Sequence, residues 1–190
     1  MSFPNVVKIL INGKVIPAAR TLEDFTYAVT STTAPSIILL FGDINELPAL
    51  LTQARQYKKR ILLHVDLIDG VAKDKLGISY LARLGVTGII TTKSQLARLA
   101  NEMGMIVIQR IFLTDSEGLR TGIQTLRKFK PDAVEIMPAF VSGDIIREII
   151  RDTRLPVIAG GLLGTREEID EIINNGAVAV STSRRELWSI

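Results

Sequence analysis

Short, almost unbroken apolar runs recur along the chain, separated by stretches whose apolar residues fall three and four apart. The runs are VIPAA (15–19), SIILLFG (36–42), RILLHVDLI (60–68), VTGIITT (86–92), MIVIQRIFL (105–113), AVEIMP (133–138), LPVIAGG (155–161) and AVAVSTS (177–183). Runs of this kind mark strands covered on both faces, as in a parallel sheet. Between them, NELPALLTQARQYKK, KLGISYLARLG, SQLARLANEMG, SEGLRTGIQTLRKFK, DIIREIIRDT and TREEIDEIINNG carry aliphatics at helical spacing. Asn45, Ser94, Ser142 and Thr165 stand where helix starts are capped, and Gly85, Gly104 and Gly176 where helices stop. Strands alternating with helices in this number predict a single α/β domain over residues 1–190, a compact (β/α)8 TIM barrel. The competing architecture, an open doubly wound sheet, ordinarily uses about five or six strands. At 190 residues the chain is short beside the usual barrel of about 250, so tight loops and short helices are expected.

The strands begin apolar and turn polar toward their C-terminal ends: His64 and Asp66, Thr91 and Thr92, Gln109 and Arg110, Glu135, Gly160 and Gly161, Ser181 to Ser183. In a barrel those ends gather at one rim, where ligands bind. Strand alternation puts His64 and Asp66 on one face, as candidates for the mouth, and turns Gln109 and Arg110 to opposite faces. Each residue also has a plain structural reading. His64 is satisfied by a hydrogen bond in the core, and Arg110 and Glu135 form an ion pair, because an unpaired buried charge costs several kcal/mol. Convergence of several polar strand ends on one rim is the stronger signal.

Composition narrows the chemistry. Hydrophobic residues make up 47% of the chain, enough for a full core. No apolar run approaches the roughly 20 residues of a membrane span. The start, MSFPNVVKIL, lacks the pattern of a secretory leader. With no cysteine and a single histidine, thiolate and multi-histidine metal sites are excluded and a cytoplasmic location is expected. No cofactor is expected. A net charge of +3 permits a polyanionic partner without requiring one.

One ligand class is indicated. IAGGLLGTREE ends the seventh run in two glycines before a helix, and AVAVSTSRREL ends the eighth in three hydroxyl residues before a short turn of helix. The loops after strands seven and eight form the recurring phosphate site of this fold. Gly160, Gly161, Ser181 and Thr182 are therefore the expected phosphate ligands. A tight glycine turn and simple helix capping are the structural alternatives. No Walker loop or dinucleotide fingerprint is present.

IPA near the start, HVDLIDG, GIITTK, IQRIFLTDS, EIMP, PVIAGGL and AVAVSTS followed by ELW, in this order, resemble the glycerol-3-phosphate-responsive antiterminators of glycerol uptake operons. The resemblance runs from about Ile16 to Trp188. It implies a barrel that is a regulator rather than an enzyme. Such a regulator would sense glycerol 3-phosphate and act on the mRNA leader of glycerol-catabolic operons. It puts the phosphate on Gly160, Gly161, Ser181 and Thr182. The barrel pattern puts the glycerol hydroxyls near His64, Asp66, Lys93, Gln109, Arg110 and Glu135. The chain departs from the family where Met137-Pro138-Ala139 replaces a common Leu-Pro-Gly and where Lys93 replaces a common arginine. Lysine still binds phosphate, but without the bidentate fork.

Three basic clusters are candidates for RNA contact: Lys58-Lys59-Arg60, Arg127-Lys128 with Lys130, and Arg184-Arg185. The last, Arg184 and Arg185, adjoins the expected phosphate site and opens a helix, where the dipole does not favour cations. Two other functions fit the same residues. His64, Asp66 and Glu135 are positioned for acid–base chemistry on a small phosphorylated substrate, as in an isomerase, aldolase or phosphodiesterase. Alternatively, a phosphate sensor acts through a protein partner. A homo-oligomer is compatible with every reading.

Overall fold

The computed structural model describes residues 9–189. Residues 1–8, most of the stretch read above for a leader, lie outside the described residues. Among the described residues, eight strands alternate with seven intervening helices in chain order. They are β1 (Val15–Ala19), α1 (Leu22–Ser31), β2 (Ser36–Leu39), α2 (Leu47–Gln56), β3 (Arg60–His64), α3 (Lys75–Leu84), β4 (Gly88–Thr91) and α4 (Ser94–Glu102). There follow β5 (Ile106–Phe112), α5 (Ser116–Lys128), β6 (Ala133–Met137), α6 (Gly143–Thr153), β7 (Val157–Gly160), α7 (Arg166–Asn174) and β8 (Ala179–Thr182). Single 3-10 turns occupy Val65–Leu67 and Arg185–Leu187. All neighbouring strands pair in parallel, and β8 pairs with β1, closing the barrel. This is the predicted (β/α)8 architecture.

Alternation along the strands divides the core in two. Ile16, Ile38, Leu62, Ile90, Ile108 and Ile158 belong to the filled centre of the barrel. Their neighbours Ile37, Leu63, Ile89, Val107, Val134 and Val157 face the helices. There they meet Phe25, Leu51, Ile78, Leu96, Ile146 and Ile169 from the surrounding ring. These strand residues thus pack on a pleated surface covered on both sides, which is why the runs lack polar alternation.

Several boundaries differ from expectation. Helix α1 is an addition: its buried positions are only Phe25, Ala28 and Val29, and its signal lies in the Thr21 cap and the acidic pair Glu23 and Asp24. The third strand stops at His64, where the backbone enters the 3-10 turn. Asn45 and Ser94 do not cap. Asp43 Oδ1 takes the backbone N–H groups of Asn45 and Glu46, and α4 begins after Lys93. Ser142 is the first flanking residue of α6 but accepts no capping bond. Thr165 forms a full capping box with Glu168. Asp74 and Asp115, each just before a predicted start, cap α3 and α5.

Candidate anion site at the barrel mouth

The C-terminal ends of the strands surround a cavity of about 340 Å³. Parity along each strand decides what enters it. Arg110, Glu135, Gly160 and Ser181 continue the inward series of Ile108, Ala133, Ile158 and Ala179. Glu135 is fully buried, and both its oxygens are taken. Oε2 accepts from Arg110 Nε at 2.7 Å, and Oε1 accepts from Ser181 Oγ at 2.5 Å. Arg110 is thereby fixed through Nε, while neither terminal nitrogen makes a hydrogen bond among the described residues, and the residue lines the cavity. A buried carboxylate thus orients a guanidinium whose other edge faces open space.

Gly160 is required by this arrangement. A Cβ there would lie 2.4 Å from Ser181 Oγ and 3.0 Å from Glu135 Oε1. It makes room for the Ser181–Glu135 bond and does not line the cavity. Gly161 does line it, turning the chain at φ +83°, where glycine alone is unstrained. Ser181 and Thr182 line it as expected. Two further polar groups line it: Arg20, directly after β1, which the sequence pattern left unmarked, and Ser183, named among the polar strand ends but not among the expected phosphate ligands. The rule that strand ends meet at the mouth reaches both, since Arg20 stands one residue past the first apolar run. With Arg184, three arginines line the cavity, and no carboxylate does among the described residues.

The other expected ligands lie elsewhere. Asp66 is off the strand, in the 3-10 turn. Its carboxylate accepts from Thr92 N at 2.8 Å and from the hydroxyls of Thr91 and Thr92, stitching the loop after β3 to the end of β4. Lys93 is exposed beyond β4 and away from the cavity lining. Gln109 faces the helices, with Nε2 donating to the Thr91 carbonyl at 3.1 Å. It lines a separate cleft with Thr92, Ser94, Thr121 and Thr125. His64 is buried, and its Nδ1 has no hydrogen-bond partner among the described residues. Burial, helped by the nearby Arg110 charge, lowers its pKa to about 4, so the ring is neutral at pH 7. Arg185 is not a free cation. Its Nε donates to Asp24 at 2.6 Å and its Nη1 to Glu23 at 2.7 Å, with the guanidinium over the Tyr27 ring. It fastens the C-terminal turn to α1.

The sequence model of the family described as glycerol-3-phosphate responsive antiterminator matches residues 15–188. The chain is similar to a glycerol uptake operon antiterminator regulatory protein from Listeria monocytogenes. The two are 32% identical with a TM-score of 0.88, over 94% of this chain and 96% of the other. It is also similar to a glycerol uptake operon antiterminator-related protein from Thermotoga maritima. That pair is 28% identical with a TM-score of 0.84, over 94% and 99% of the two chains. An uncharacterized Escherichia coli protein, YgcP, is 27% identical over 97% of this chain and 96% of its own length.

Proposed function

This chain belongs to the glycerol-3-phosphate responsive antiterminator family, and on that premise we propose that its barrel mouth binds glycerol 3-phosphate to control an action on the leader RNA of glycerol-catabolic transcripts. The observation that carries the effector reading is the cavity lined by Arg20, Arg110 and Arg184 and by no carboxylate among the described residues. A phosphate dianion suits such a site, because charge-assisted bonds from guanidinium are strong and directional. Gly161, Ser181, Thr182 and Ser183 supply a backbone turn and three hydroxyls on the same wall. The cavity falls within the roughly 300–1,000 Å³ of small-molecule sites. We assign the phosphate to the β7 and β8 ends with Arg20 and Arg184, and a glycerol hydroxyl to the free edge of Arg110.

The acid–base equipment of an enzyme is poorly placed here. Glu135 has both oxygens engaged, His64 is neutral and away from the cavity lining, and Asp66 is spent on the threonines of β4. These features support a receptor whose charged groups hold rather than react.

Thermal unfolding with glycerol 3-phosphate, glycerol and inorganic phosphate tests this. At about 100 times its dissociation constant, a ligand adds about 2.7 kcal/mol. For a domain of this size that raises Tm by roughly 5–10 °C. The expected outcome is a rise with glycerol 3-phosphate well beyond either fragment. No rise with any of the three at millimolar concentration would remove the effector assignment. Arg20→Ala, which leaves no broken ion pair among the described residues, should weaken glycerol 3-phosphate about tenfold or more by calorimetry. The Tm of the unliganded protein should not change.

A further inference from the structure

Two of the three basic clusters stand far from the mouth in the fold. The turns leading from each helix into the next strand lie at the opposite end of the barrel and comprise residues 29–35, 54–60, 82–87, 100–105, 126–132, 151–156 and 172–178. Together they hold ten Lys or Arg and three Asp or Glu, a net of +7. The whole chain is +3, so all other segments together carry −4. The positive charge is concentrated at one end of the barrel, with its cavity at the other.

The helix dipole attracts cations to every helix C-terminus and explains some of this charge. It does not explain the distribution. The turns after α1 and α7 contain no charged residue, whereas those after α2 and α5 hold four and three cations. Lys58, Lys130 and Arg154 lie beyond the last helical turn. Two of them also occupy costly backbone. Lys58 has φ +57° and Arg154 φ +62°, where the corresponding turns after α3, α4 and α7 use glycine. At these two helix ends the chain keeps a cation in a conformation that glycine adopts freely.

Half of these cations are available. Lys58, Arg83, Lys128, Lys130 and Arg154 are exposed and form no ion pair among the described residues. Arg127 and Arg151 share the single carboxylate of Asp152. Three others are engaged with backbone carbonyls: Lys59 Nζ donates to Thr32 and Ala34 at 2.6 Å, Arg55 Nη2 to Leu84 at 2.5 Å and Arg60 Nη1 to Ile9 at 3.4 Å. Beside Lys58 stands Tyr57, an aromatic ring 49% exposed. Cations spaced across a face, with an accessible aromatic among them, fit a phosphate backbone carrying unstacked bases.

We propose that the face formed by the helix-to-strand turns, opposite the effector cavity, is the RNA-binding surface of this protein, with Lys58, Lys130 and Arg154 on phosphates and Tyr57 against a base. The proposal rests on the RNA-directed part of the function above and gives it a location. It also replaces the sequence-based candidates Arg184 and Arg185, of which one belongs to the cavity and the other is held by α1.

The test uses a labelled single-stranded RNA of mixed sequence, about 30 nucleotides long, titrated by fluorescence anisotropy at several salt concentrations. The variant is Lys58→Gly/Lys130→Ala/Arg154→Gly, whose glycines suit the left-handed turns and so protect the fold. Each single-strand phosphate contact contributes about 0.7 to the slope of log affinity against log salt, so three lost contacts lower it by about 2. Affinity at about 100 mM salt should fall at least tenfold. The thermal shift with glycerol 3-phosphate should be retained. A second variant, Lys75→Ala/Arg166→Ala, removes two exposed cations from the mouth end and should bind RNA as the parent does. Parent-like affinity and slope in the triple variant, or loss only in the mouth-end variant, overturns the location while leaving RNA binding in place. Failure of the parent to bind RNA, including a case where it binds vesicles containing phosphatidylserine instead, overturns the location and the RNA part of the function together. The effector reading is judged separately by the thermal shift.

Discussion

Glu135 shows how one buried residue sets the character of the mouth. It is fully buried and accepts from both Arg110 and Ser181. Removing its cationic partner leaves a charge without compensation in the core. Arg110→Met should therefore cost about 3–5 kcal/mol in urea unfolding and abolish the effector thermal shift. Gly160→Ala pushes a methyl group against Ser181 Oγ and Glu135 Oε1. It should destabilise by about 1–3 kcal/mol, with ligand affinity falling alongside, because the Ser181 bond is the first to yield. His64 gives a pH signature. Its pKa is about 4 in the fold and 6.5 in the unfolded chain, so below pH 6.5 the unfolded state takes a proton that the folded state refuses. Stability from this group is complete above pH 6.5 and is lost as the pH falls toward 4, by about 3 kcal/mol in all. His64→Gln should flatten that part of the stability profile, as measured by denaturant titration at successive pH values.

At the scale of elements, small sequence features decide where chains start and stop, and this sets what a reader of the sequence finds. The strands were legible because both their faces are buried and their runs stay apolar. Helix α1 was not, because Ala28 and Val29 beside Phe25 make a narrow stripe, and its cap rather than its period marks it. Ser181, Thr182, Gly161 and Arg110 were legible as mouth residues from strand parity and chain order. Asp66 was misplaced because a 3-10 turn ends the alternation after His64. Gln109 obeys parity but on the face toward the helices. Pairings across the barrel, such as Arg185 with Asp24, have no signal at a separation of 161 residues. One element carries a reversed expectation. In an ordinary helix, Gly→Ala stabilises by about 1 kcal/mol. In α3, a Cβ on Gly77 would lie 1.8 Å from the Ala72 carbonyl oxygen, so the helix rests against its own incoming loop. Gly77→Ala should lower Tm by several degrees rather than raise it, as scanning calorimetry would record.

For the whole molecule, the division of labour between the two ends follows from one parallel topology. Every strand runs from the end that carries the basic turns toward the mouth, so the proposed effector site and the proposed RNA-binding face are joined by eight parallel strands. The ladder from β5 to β6 is the longest, with five paired positions that end on Met137 beside the cavity. Deleting residues 177–189 removes β8 together with Ser181, the partner of Glu135. The shortened chain should be aggregated or molten in solution scattering and circular dichroism, because β1 and β7 become open edges. The closing contact between β1 and β8 also has a consequence for how the protein is made. Val15 finds Val180, and Pro17 finds Thr182, across nearly the full length of the chain. Until β8 has emerged from the ribosome, a nascent chain is therefore an unsealed sheet, with β1 unpaired on one side and its interior open. β8 acts as the latch, and a polypeptide still lacking it exposes apolar surface of the kind chaperones bind.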